Sequence, residues 1–184
     1  MATDTETQGA TEIPAGSWTV DPVHSVAGFA VRHMMVGTFR GEFSEIDATL
    51  TDGKLVGKVK VASLQIKDEN LKGHLFSPDF FDVERYPEIS FNSTRIDYLD
   101  GGRFRIVGAL TMRGVIREIK LDAQLGGTRR EAGGDERIEL ALRGELNRRD
   151  FGLTWNQVLE TGGALLGNKV KIALDISAMK SEVA

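Results

Sequence analysis

The stretch KVKIALDISAM, from Lys169 to Met179, alternates strictly. Val170, Ile172, Leu174, Ile176 and Ala178 fall on one side, and Lys169, Lys171, Asp175 and Ser177 on the other. A side-chain period of two belongs to an extended strand with one buried face, and a helix cannot present it. Three more stretches show the same period. RFRIVGALTM groups Phe104, Ile106, Gly108, Leu110 and Met112, and RIELALRGEL groups Ile138, Leu140, Leu142, Gly144 and Leu146. FAVRHM groups Phe29, Val31 and His33. Shorter strands are predicted over Trp18–Val23, Phe39–Leu50, Leu55–Ile66, Ile89–Leu99 and Arg117–Leu125. Phe39 and Phe43 share a parity that Ile46, Ala48 and Leu50 do not, which predicts a bulge near Ser44–Glu45.

Turn signals separate most of these runs: TDGK, LDGGR, MRG and GGTRREAGGDER. Links this short join antiparallel neighbours. One stretch departs from period two. KDENLKGHLFSPDFF carries Leu71, Leu75 and Phe76 at helical spacing, and Ser77-Pro78 ends the turn, so a short helix is predicted over Asp68–Phe76. The fold class is therefore all-β. About eight antiparallel strands close into a barrel, with one or two short helices. Gly57, Gly108 and Gly144 sit in the apolar rows. Two readings stay open for them: room for a ligand inside the barrel, or bending of the strands.

A chain of 184 residues fits one such domain. Residues 1–16 read as a disordered extension and 17–184 as a single barrel domain. A net charge of −4, with basic and acidic residues interleaved, argues against a nucleic-acid partner. The absence of cysteine excludes disulfides, thiol nucleophiles and thiolate metal sites. The polar start MATDTETQGATEIPAGSW lacks the basic and apolar regions of a secretory signal, and no run reaches membrane-spanning length. A cytoplasmic location is the expectation.

No catalytic constellation stands out. His24, His33 and His74 show neither HxH nor HExxH spacing, so a metal site is not expected. His24 and Ser25 are adjacent and point apart along a strand, and no GxSxG elbow occurs. DFG at Asp150–Gly152 lacks the other kinase segments. Asp79 and Asp82 read as loop-fixing carboxylates. TGGALLG, near residue 161, reads as a loop. What does stand out is HLFSPDFFDVERYPEISF, His74–Phe91, which holds five of the chain's thirteen aromatic residues (nine Phe, two Trp, two Tyr). Aromatic side chains at this density either line an apolar pocket or plug one end of a barrel.

Several of these segments resemble the YceI-like, polyisoprenoid-binding family. WTVDPVHSVAGFAVRHM is similar to its opening motif and GTFRGEF to its next strand. HLFSPDFFDVERYPEISFNST is similar to its longest signature, and GALTMRGVIREIKL and NRRDFGL to two later ones. The likeness covers about residues 17–178. Four positions depart from the family pattern: Lys72-Gly73 replaces an Arg-Asp pair, and Ile116 and Glu118 stand where Thr and Pro are usual.

The resemblance implies an extended, lipocalin-like barrel whose tunnel holds a polyisoprenoid lipid, an isoprenoid quinone or a polyprenyl chain. It implies a carrier or store that is not an enzyme and requires no cofactor. Transient membrane contact and a homodimer are compatible with such a carrier. From strand parity, the aromatic segment and this resemblance together, the expected ligand-binding residues are Phe29, Val31, His33, His74, Phe76, Phe80, Phe81, Phe91, Leu110 and Leu142. The alternative is an enzyme acting on an apolar isoprenoid-like substrate, with His24, His33 or His74 as base.

Overall fold

The computed structural model describes residues 14–160 and 162–181, so the extension expected over 1–16 lies, but for its last three residues, outside the described residues. In chain order the strands are β1 (Ser17–Val20), β2 (Val26–His33), β3 (Gly37–Phe43), β4 (Ile46–Thr51), β5 (Lys54–Lys60) and β6 (Leu64–Gln65). The helix α1 (Glu69–Phe76) follows. Then come β7 (Glu88–Asp100), β8 (Arg103–Met112), β9 (Val115–Arg130), β10 (Glu136–Asn147) and β11 (Leu166–Ser181). All are antiparallel neighbours in one sheet.

The sheet closes where β1 pairs with both β4 and β11, and three of its strands are broken in the middle. β11 pairs with β10 along one edge. Along its other edge it pairs with β2 and then with β1. The break between β1 and β2 is a 3₁₀ turn, Pro22–His24. Pro22 lacks an N–H for the ladder, and the Asp21 side chain takes the Val23 N–H instead. The predicted strand over Trp18–Val23 therefore stops at Val20. β3 and β4 form a second broken strand with its step at Ser44–Glu45, the position of the predicted bulge. β5 and β6 form a third, with a 3₁₀ turn over Val61–Ser63 between them. Ser63 Oγ joins the last two steps, donating to Lys60 O and accepting from Glu45 N. Counted this way, eight antiparallel strands close into a barrel.

The helix forms where its spacing predicts. Asp68 caps it, accepting from the N–H groups of Asn70 and Leu71. Its one buried side chain is Leu75.

The barrel has two unlike ends. At the first, the turns after β4, β7 and β9 cluster around Trp18, which is 2% exposed, and Ile138, which is 0% exposed. At the other lie α1, the segment Ser77–Tyr86, the β2–β3 and β8–β9 tips, and the segments Arg148–Glu160 and Gly162–Leu165. This second end is the cap end.

Candidate functional site

The residues facing into the barrel do not all become buried. Trp18 and Ile138 are sealed, whereas Phe29, Phe39, Leu55, Leu140, Ile172 and Leu174 keep accessible surface although they point inward. Interiors normally pack to the density of organic crystals. Accessible apolar side chains inside a closed sheet therefore border a void. That void is a cavity of about 240 Å³. Its wall is apolar apart from Ser90, Lys58 and Arg148. A cavity of about 150 Å³ lined by aliphatic residues stays dry and takes up benzene, so this one has room for a short apolar segment. A second void of about 30 Å³ lies toward the first end, and Leu55 and Leu140 border both.

Aromatic rings close the cap end in two groups. Phe29, Phe39, Phe43 and Phe81 pack at tilted and edge-on angles with centroid distances of 5.7–6.4 Å. His74, Phe80 and Trp155 form the other, with His74 4.5 Å from Trp155 and 5.0 Å from Phe80. The aromatic-rich stretch thus both plugs the barrel and lines it: Phe80, Phe81 and Phe91 are on the cavity wall. Arg113, at the β8–β9 tip, holds this cap down by donating to Pro78 O and Gly152 O.

Of the ten residues expected at a ligand site, seven border the cavity: Phe29, Val31, Phe80, Phe81, Phe91, Leu110 and Leu142. Three do not. His33 ends β2, where the strand runs out into the tip. His74 is turned to Asp79, with Nε2 3.1 Å from Oδ2. Phe76 lies under the Lys72 ammonium at 5.9 Å. His24 sits at the opposite end, with Nδ1 2.6 Å from Asp21 Oδ2. Ser25 bonds Ser177 instead of a histidine. Asp82 adopts a left-handed φ of 51° inside the cap, where its carbonyl accepts from Arg85 and Tyr86. No group of three or more His, Asp or Glu side chains gathers as a metal site among the described residues.

The glycines resolve into two kinds. Gly57 borders the cavity. Gly108 does not: a Cβ there would meet the Phe91 ring and Asn92 O, both at 2.5 Å. At Gly144 it would meet Leu121 Cδ2 at 2.7 Å. These two allow close packing and leave no open room.

Strand parity pointed to Ile172 and Leu174 without marking them as site residues, and both line the cavity. Phe39 and Phe43 also line it. Nothing in the spacing of the sequence marks Arg148 as a site residue, although it stands in the segment NRRDFGL.

A family model described as YceI-like domain matches residues 18–178. The chain belongs to the YceI-like domain family. Its relatives include the UPF0312 protein SA2479 of Staphylococcus aureus, 29% identical over 163 residues, covering 84% of this chain and 92% of the relative. Among solved structures, the Campylobacter jejuni YCEI protein shares 25% identity at a TM-score of 0.72, covering 83% of this chain and 91% of that one. BcnA of Burkholderia cenocepacia superposes at a TM-score of 0.74 with 19% identity, over 86% of this chain and 98% of its own. A polyisoprenoid binding domain from Saccharophagus degradans does so at 0.67 with 13% identity, over 89% and 98%. The last two likenesses are of fold. In this YceI-like barrel no helix among the described residues is long and apolar enough to cross a membrane.

Proposed function

We propose that the protein holds a single apolar chain of the polyisoprenoid type, that of an isoprenoid quinone or a polyprenyl lipid, inside the barrel and carries or stores it unchanged. The observation that carries this reading is the set of inward, accessible apolar side chains around a cavity of about 240 Å³. The polyisoprenoid binding domain of similar fold supports it. Pockets for drug-sized ligands run from roughly 300 to 1,000 Å³. A long prenyl chain therefore needs the barrel to widen, or extends beyond it through the cap end.

Loading from a membrane fits the β2–β3 tip. Met34 and Met35 both take left-handed φ, 51° and 68°, and stay half exposed, and Val36 is 94% exposed. Val158, on the neighbouring chain segment, is 82% exposed. The test is denaturing extraction of the purified protein followed by mass spectrometry. An intact prenyl lipid at near-stoichiometric yield is the expected result. A cavity that comes out empty, and that binds no added prenyl chain, would overturn the reading.

A further inference from the structure

Two arginines are buried in this barrel, one toward each end, and their surroundings are opposite. Arg137, at the first end, is fully matched. Its Nη1 donates to Asp21 Oδ2 at 2.9 Å and Ser177 Oγ at 2.8 Å, and its Nε to Glu131 Oε1 at 2.9 Å. Arg148, at the cap end, is 4% exposed and has no carboxylate partner among the described residues. Its Nε donates to Gly167 O at 2.8 Å, and its Nη1 to Leu153 O and Trp155 O at 2.7 and 2.8 Å. A guanidinium has five N–H donors. Those on Nη2 have no partner among the described residues.

A buried charge is costly unless it is paired, and a neutral carbonyl does not cancel it. The local field adds to the imbalance. Arg113 donates to Gly152 O, one residue from the carbonyl that Arg148 takes, and has no carboxylate partner among the described residues either. Arg149 raises the positive charge further, and burial together with Arg149 lowers the proton affinity of Arg148. Asp150, next in the chain, is exposed and makes no bond to Arg148. The other charged residue on the cavity wall, Lys58, is half exposed and lies 3.6 Å from Glu88. Arg148 is therefore the one buried, unmatched cation on the wall of the cavity, among the described residues.

We propose that Arg148 is a head-group site: its guanidinium receives an anionic oxygen, of a carboxylate or a phosphate, at the end of an apolar chain lying in the cavity. The chain itself rests on the reading under Proposed function; the anionic end is the added claim. Charge-assisted hydrogen bonds are about twice as strong as neutral ones. The preference over a neutral head should therefore be large.

The experiment titrates delipidated full-length protein with farnesene, farnesol, farnesoic acid and farnesyl monophosphate, which share one chain and differ at its end. At least one anionic ligand is expected to bind roughly ten- to a hundredfold more tightly than farnesol, and the tighter of the two identifies the head group. Arg148→Gln should erase that preference. An Arg148 that only shapes the loop would weaken all four ligands alike, which would overturn the proposal. The side-chain ¹⁵N resonances of Arg148 in the unmodified protein give a readout that does not depend on the variant folding. They should shift with farnesoic acid and stay in place with farnesene. If all four ligands bind within about threefold of one another, the head-group site is wrong and the chain-binding reading stands. If none binds, both fall.

Discussion

Ile138 and Leu174 lie on neighbouring strands with the same inward parity, yet they face different surroundings. Ile138 is sealed on every side, and Leu174 borders the cavity. Removing a sealed side chain leaves a new hole, so Ile138→Ala should cost about 2–5 kcal/mol. Leu174→Ala only enlarges a hole already present, and should cost clearly less, roughly 1–2 kcal/mol, in delipidated protein. Chemical denaturation of both variants checks this, and equal costs would mean that the cavity wall is ordinary core.

Asp21 carries a second prediction at this scale. Its hydrogen bond with His24, and then that from Arg137, lower its carboxyl from 3.8 to about 2. The unfolded chain thus takes up this proton before the folded one does. The contribution of Asp21 to stability is complete above about pH 4 and drains away as the pH falls toward 2. Melting curves from pH 7 to 2 should show wild type losing stability over that window more steeply than Asp21→Asn. Parallel curves would remove the carboxylate from the acid response.

At the scale of elements, the β8–β9 tip is the fastening of the cap. Arg113 reaches Pro78 O and Gly152 O, and Gly114, at φ 71°, leaves space for the Tyr86 ring, 2.8 Å from where a Cβ would stand. Gly114→Ala meets both a left-handed backbone and that ring. It should cost about 1–3 kcal/mol, with faster amide hydrogen exchange in Ser77–Tyr86. Unchanged exchange in the cap would show that the tip does not hold it.

The elements most readable from sequence were those with long unbroken parity. β8, β10 and β11 repeat period two over ten residues or more, so one mistaken position cannot hide the pattern. α1 was readable from the helical spacing of Leu71, Leu75 and Phe76 and from its stop at Ser77-Pro78. The breaks were harder, because each is a local event with a distant cause. The step at Ser44–Glu45 showed in the parity of Phe39 and Ile46, but the stop after Val20 depends on Asp21 turning its side chain to Val23 N. His33 falls outside the wall because strand parity ends where β2 runs out into the tip; His74 and Phe76, expected from the aromatic segment, sit on α1, which buries only Leu75. Arg148 is not legible in the sequence because its meaning lies in partners it does not have, and a sequence shows only neighbours along the chain.

For the whole molecule, the closed sheet leaves unequal filling as its main feature, nearly filled at one end, where the void is only about 30 Å³, and hollow toward the other, where it is about 240 Å³. Unfolding collapses internal voids, so the change in volume grows with the empty space lost. The delipidated barrel is therefore expected to be sensitive to compression in a way that a solid barrel of this size is not. A bound farnesol chain occupies that space before unfolding begins. High-pressure fluorescence should show a higher midpoint pressure and a smaller volume change for the farnesol-loaded protein than for the empty one. Mechanical softness is then the counterpart of carrying capacity: the interior that accepts a guest is the same interior that yields when squeezed.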